Sequence, residues 1–91
     1  IKHMGYRIEL EEIEAALNAL DGVNEAAAVY KKLGEGMGMI LGFVALSRER
    51  CTEELLEEAS RYLPPYMMPK TISILEQLPK NANGKIDRQA L

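Results

Sequence analysis

The sequence closes on NANGKIDRQAL, Asn81 to Leu91, where Lys85 stands directly behind an Asn-Gly pair and Asp87 and Arg88 follow it. A lysine offers a compact positive charge on a long stem, a group able to meet negative charge as it develops on another molecule. Taken alone the pattern is unspecific, because any hairpin can hold Asn-Gly-Lys, and the residues by themselves read as an exposed turn. The other chemistry-bearing residues are scattered. His3 is the only histidine, with no second His or Cys at ligand spacing, and reads as a surface residue. Cys51 has no base near it in the chain and reads as a packing or surface residue. Glu9, Glu11, Glu12 and Glu14 form an acidic run; paired carboxylates can do acid–base work, but on an amphipathic helix they read as a solvated face. The LGEGMG stretch, Leu33 to Gly38, lacks the strand-to-helix setting of a phosphate loop, and neither GxxxxGK[ST] nor GxGxxG occurs. Met67 and Met68 read as core or interface filler. The sequence holds no metal-ligand set and no complete catalytic constellation.

The elements that must position these residues come from a chain of 91 residues, enough for one domain and one modest core. With one Phe and no Trp, aliphatic residues and Met must supply that core. A net charge of -3 speaks against general nucleic-acid affinity, which needs a basic face. No apolar run approaches the roughly 20 residues of a membrane span. IKHMG is neither a signal nor a transit peptide, and with Met4 internal the chain is expected to come from something longer. A single Cys51 excludes an internal disulfide and fits a reducing compartment, so a cytoplasmic location is expected.

Helical spacing of Leu10, Ile13, Leu17 and Leu20 predicts a helix over IELEEIEAALNAL, with Gly22 as its stop. VNEAAAVYKK reads as a strand with Val23, Glu25, Ala27 and Val29 on one side and Ala26, Ala28 and Tyr30 on the other, although three alanines weaken it. MILGFVALS is continuously apolar from Met39 to Leu46 and suits a strand buried on both faces. The two strands predict an antiparallel hairpin. CTEELLEEASRYL predicts a second helix with Thr52 as N-cap, a face of Leu55, Leu56, Ala59, Tyr62 and Leu63, and Pro64 and Pro65 at its end. KTISILEQL, alternating Ile72 and Ile74, reads as a short strand, and DRQAL as a final helical turn. The expected fold is α+β: a small three-stranded, mainly antiparallel sheet flanked by helices. Free-standing small-molecule-binding regulatory modules share that order, and fold alone does not choose a function.

Two end segments carry a more specific signal. GYRIELEEIE, from Gly5 to Glu14, resembles the motif just after the interdomain hinge of the adenylate-forming enzymes: nonribosomal peptide synthetase adenylation domains, D-alanine–carrier protein ligases and acyl-CoA synthetases. LPKNANGKIDR, from Leu78 to Arg88, resembles the closing motif of that family, and LPPYMMPK, from Leu63 to Lys70, is similar to the stretch before its last strand. The resemblance covers essentially the whole chain.

That resemblance implies a mobile C-terminal lid domain spanning residues 1–91, whose hinge and large N-terminal adenylation domain would precede Ile1. The implied reaction joins a carboxylate to AMP using ATP and Mg²⁺, both held mainly by the large domain, and then passes the acyl group to a thiol. Lys85 matches the catalytic lysine of adenylation, and Gly84 relieves the backbone before it. Gly5 matches the glycine beside the phosphopantetheine channel, and Lys2, Arg7 and Glu9 match charged interdomain or channel positions. Met4 stands where the family often has an arginine that can touch the CoA nucleotide; its presence favours a carrier protein over CoA as acceptor. Glu11, where many members have glycine, resembles the D-alanine–carrier protein ligases. An acyl-CoA synthetase lid is the alternative within the family. The isolated chain is expected to be inactive.

Overall fold

The computed structural model describes residues 2–3, 5–34 and 37–91, with only the backbone of Lys2, His3 and Tyr6. A short antiparallel hairpin comes first, β1 (Lys2–His3) with β2 (Tyr6–Arg7). Then follow α1 (Leu10–Asn18), β3 (Val23–Gly34), β4 (Met37–Leu46), α2 (Thr52–Ala59) and β5 (Thr71–Leu75), with 3₁₀ turns at Pro65–Met67 and Arg88–Ala90. The expected order of helix, strand, strand, helix, strand is present. The leading hairpin was not expected, since strands of two residues leave no readable alternation.

β4 lies at the centre of the main sheet, between β3 and β5. It pairs antiparallel with β3 from Val23↔Leu46 to Gly34↔Met37, with irregularities after Val23 and after Lys32. Its pairing with β5 is parallel, from Leu41↔Thr71 to Ala45↔Leu75. Parallel neighbours need a crossover, and α2 with the proline-containing segment behind it provides one. The sheet is therefore mixed, with the antiparallel ladder the longer of the two.

Both helices cover one face of the sheet. Ile13 and Leu17 of α1, Leu55 and Ala59 of α2, and Ile8, Leu20, Leu63 and Met67 of the connections pack with Ala26, Ala28, Ile40, Val44 and Ile72 of the strands. The opposite face carries a smaller core, where Leu78 is buried with Ala27 and Ala45, and Phe43, Leu75, Ile86 and Leu91 pack around them. Ala26, Ala27 and Ala28 thus serve both layers; alanine is a poor strand former, but its small side chain lets a helix on one side and the closing segment on the other approach β3. Leu17 presses equally close to Gly42, where an added Cβ would meet Leu17 Cδ1 at 3.2 Å and Ile72 Cγ1 at 3.3 Å.

Several expectations at element ends are corrected. Thr52 is not the N-cap of α2: Cys51 holds that position without a side-chain cap bond, and the Thr52 hydroxyl instead donates to the Ile72 carbonyl at 3.2 Å. Tyr62 is 70% exposed and belongs to no buried face, because α2 stops at Ala59 and the chain turns there, with the Tyr62 and Leu63 amides both donating to the Ala59 carbonyl. Ile74 is exposed although Ile72 on the same side of β5 is buried. Arg50, which no sequence pattern singles out, is a buried cation whose guanidinium donates to the Asp21 carbonyl at 2.5 Å and to the Glu58 carboxylate. Pairing offsets the cost of burying that charge and ties the α1–β3 turn to α2.

Candidate functional site: the closing lysine loop and the leading hairpin

Lys85 stands on a loop whose base is anchored to the second face of the sheet. Leu78 enters the small core, and Ile86 packs beside it on the return. Lys80 and Ile86 form an antiparallel bridge, and the Asp87 amide donates to the Pro79 carbonyl at 2.8 Å. Within the loop, Asn81 does most of the ordering. Its Oδ1 accepts from the Asn83 amide at 2.9 Å and from the Lys85 amide at 3.1 Å, while its own amide donates to the Lys85 carbonyl at 2.8 Å. The Gly84 amide donates to the Asn81 carbonyl at 3.0 Å, and Gly84 adopts φ 78°, the left-handed region that favours glycine. Both backbone polar groups of Lys85 are therefore fixed by one residue. Ile86 turns towards the sheet, and Lys85 is exposed; its side chain has no ion pair or hydrogen bond among the described residues. A hydrogen-bonded backbone carries an exposed ammonium.

Two charged contacts hold the base of this loop to the body. Lys80 Nζ lies 2.5 Å from Glu25 Oε2 on β3. Arg88 donates from Nε to Glu14 Oε2 at 2.8 Å and from Nη2 to Glu14 Oε1. Glu14 also accepts the Ala28 amide at 2.8 Å. The hydrogen bonds that Arg88 donates to Glu14 push the Arg88 pKa above its ordinary value, against a smaller opposing effect of burial. Glu14 thus leaves the solvated acidic face expected for it, whereas Glu9, Glu11 and Glu12 are exposed. Its place beside Leu10 and Leu17 at helical spacing could have signalled a border position; nothing in the sequence named Arg88 as its partner. Asn81 was also missed, though an Asn ahead of an Asn-Gly turn is a common turn-capping residue.

The residues of the other end lie together on the leading hairpin. Gly5 sits in its turn with φ 81°, and nothing comes within 4 Å of an added Cβ. The glycine is therefore demanded by backbone conformation, with no close approach among the described residues. Arg7 and Glu9 are exposed on either side of the buried Ile8, and Glu9 is the N-cap residue of α1 without a side-chain cap bond. The Lys2 side chain, and Met4 with its bearing on CoA, lie outside the described residues. Lys85 and Gly84 on one side, and Gly5, Arg7 and Glu9 on the other, stand on separate elements.

A groove of about 640 Å³, lined by Leu10, Val29, Leu41 and Leu91 together with Lys31 and Arg88, does not include Lys85. Among the described residues no group of three or more His, Cys, Asp or Glu could hold a metal ion. No described helix is long and apolar enough to cross a membrane.

A mixed three-stranded sheet with helices on one face matches the C-terminal domain of AMP-forming ligases. The chain belongs to the family of the AMP-binding enzyme C-terminal domain, whose model matches residues 12–85. It is 46% identical over 93 residues to chondramide synthase cmdD of Chondromyces crocatus, covering all of this chain and 2% of that protein. Its fold superposes with a TM-score of 0.87 on a crystal structure of holo-AB3403, a four-domain nonribosomal peptide synthetase bound to AMP and glycine, at 34% identity over 99% of this chain and 7% of that one. It is also similar to a Brucella canis acyl-CoA synthetase, with a TM-score of 0.83 and 32% identity over 97% of this chain and 17% of that one. The chain spans only a small part of such relatives, 2% of the chondramide synthase and 7% of the four-domain synthetase.

Proposed function

We propose that this chain is the mobile C-terminal lid of a larger ATP-dependent, AMP-forming ligase that activates an amino acid and passes it to the phosphopantetheine thiol of a carrier protein. In the first half-reaction a carboxylate oxygen attacks the α-phosphorus of ATP, and pyrophosphate leaves. The Lys85 ammonium meets the negative charge that builds on the carboxylate and phosphate oxygens, from a loop that needs no reorganisation at that moment. In the second, the lid turns, Lys85 withdraws, and the hairpin of Gly5 and Arg7 lines the path of the thiol. The thiol loses its proton and attacks the acyl carbon, and AMP leaves. ATP and Mg²⁺ belong to the large domain in this reading.

The single observation that carries the proposal is a fixed loop backbone presenting to solvent a lysine with no side-chain partner among the described residues, within a chain of this family. The likeness to chondramide synthase cmdD and to a nonribosomal peptide synthetase structure supports the carrier-protein acceptor. The likeness to an acyl-CoA synthetase supports CoA as the second reading. ATP–pyrophosphate exchange tests the proposal: the parent enzyme exchanges with its amino acid, and residues 1–91 alone do not. A parent from which residues 1–91 are deleted loses exchange; unchanged exchange in that deletion contradicts the proposal.

A further inference from the structure

Glu14 and Arg88 are 74 positions apart in sequence, yet the arginine grips the carboxylate with two N–H groups. Exposed ion pairs contribute little as a rule. This one differs in three respects. The Glu14 side chain is only 12% exposed. Its carboxylate is already fixed by the Ala28 amide of β3, an edge strand of the sheet. The two-pronged contact also specifies the direction of the guanidinium as well as its distance. The place of Arg88 is thus dictated by α1 and β3 together.

Arg88 in turn stands three residues behind Lys85, along a segment with little freedom. The Asp87 amide is held by the Pro79 carbonyl, the Asp87 carboxylate accepts the Gln89 amide at 3.1 Å, and Ile86 is bridged to Lys80. A displacement of Arg88 therefore passes into the lysine loop. The Lys80–Glu25 pair holds the opposite side of the loop base, so the loop is suspended between two contacts to β3 and its neighbour α1.

We infer that Glu14 and Arg88 are positioning residues for Lys85: their pair, seated on the edge of β3, sets where the lysine stands and so governs the adenylation half-reaction. The inference rests on the reading of Lys85 given above. It is tested in the parent enzyme by single-turnover adenylation, and by thiolation from a pre-made acyl-adenylate, for Arg88→Ala, Arg88→Lys, Glu14→Gln, Lys85→Ala and the double variant Lys85→Ala/Arg88→Ala. Glu14→Gln keeps an oxygen for the Ala28 amide and removes the charge that Arg88 grips. Adenylation is expected to fall about tenfold or more in Arg88→Ala and Glu14→Gln, with KM nearly unchanged and thiolation within about twofold, since a misplaced group costs rate more than binding. Arg88→Lys recovers only part of the rate, because one ammonium cannot reproduce the fork. Adding Arg88→Ala to Lys85→Ala costs nothing further, because Arg88 acts through that lysine. Equal losses in both half-reactions with a lowered Tm, or losses that add in the double variant, overturn the inference and leave Lys85 in its role so long as Lys85→Ala alone loses adenylation. Wild-type adenylation by Lys85→Ala removes the reading of Lys85, and this inference with it.

Discussion

Asn81 and Lys85 are joined twice: the Asn81 side chain accepts the Lys85 amide at 3.1 Å, and the Asn81 amide donates to the Lys85 carbonyl at 2.8 Å. The first of these bonds depends on a side chain. Asn81→Ala therefore frees the Asn83 and Lys85 amides to water, at a stability cost of about 0.5–1.5 kcal/mol. The larger expected effect is on adenylation, slowed about tenfold because the ammonium no longer starts from a fixed backbone. Single-turnover adenylation alongside a thermal melt separates the two effects. An unchanged adenylation rate would show that the order of the loop is irrelevant to the lysine.

Gly84→Ala tests backbone conformation, since Gly84 has φ 78° and, among the described residues, nothing lies within 4 Å of an added Cβ. The left-handed region costs a non-glycine residue about 1–2 kcal/mol. Gly84→Asn should cost less, because asparagine tolerates that region. Chemical denaturation of the three proteins should rank them Gly, Asn, Ala; an alanine variant as stable as the parent would contradict the turn geometry.

Gly38 tests packing instead. The Tyr30 ring lies over it, and an added Cβ would meet Tyr30 Cε2 at 2.8 Å, with the hydroxyl and Cζ closer still. Gly38→Val should destabilise by about 1–3 kcal/mol through overpacking. Shortening the opposing side chain in the same protein, as Tyr30→Leu, should return part of that loss. Failure of the second change to compensate would mean that the ring and the glycine do not share one space.

The Leu10–Ile13–Leu17 stripe and the apolar run of β4 were readable because each follows a simple period, and the core on the helical face follows from them. The Asn83–Gly84 turn was readable because its residue types are chemically restricted. What escaped reading depends on partners distant in sequence. Glu14 looks like one more acid on a solvated helix until Ala28 and Arg88 are brought beside it. Arg50 looks like a loop arginine until Glu58 and the Asp21 carbonyl enclose it. The parallel pairing of β5 left no mark in TISIL, since period-2 alternation is the same in either direction. Thr52 has the residue type of a cap, but the Ile72 carbonyl claims its hydroxyl instead. The site roles of Lys85 and Gly5 came from a resemblance to a family; composition and spacing by themselves gave only an exposed turn at each place.

Gly5→Leu addresses the second half-reaction. Among the described residues nothing lies within 4 Å of an added Cβ at Gly5, so the local cost there is the strained φ of 81°. If the hairpin lines the thiol path, the leucine blocks what comes from outside. Thioester formation in the parent enzyme is expected to slow by at least about tenfold while adenylation stays near normal. Equal losses in both steps would indicate a folding defect from the strained turn, and no loss in thiolation would remove Gly5 from the channel.

Lys85→Ala in the parent enzyme bears most directly on the central claim. Single-turnover adenylation should fall by at least roughly 10²–10³-fold, the scale of losing one group that stabilises transition-state charge. KM for the carboxylate should change far less. Lys85→Arg should restore activity only in part, since a planar fork replaces a point charge. Thioester formation from a pre-made acyl-adenylate should survive, and Tm should barely move, because the exposed side chain has no partner among the described residues. Adenylation by Lys85→Ala at the wild-type rate would make Lys85 an ordinary surface lysine and contradict the account.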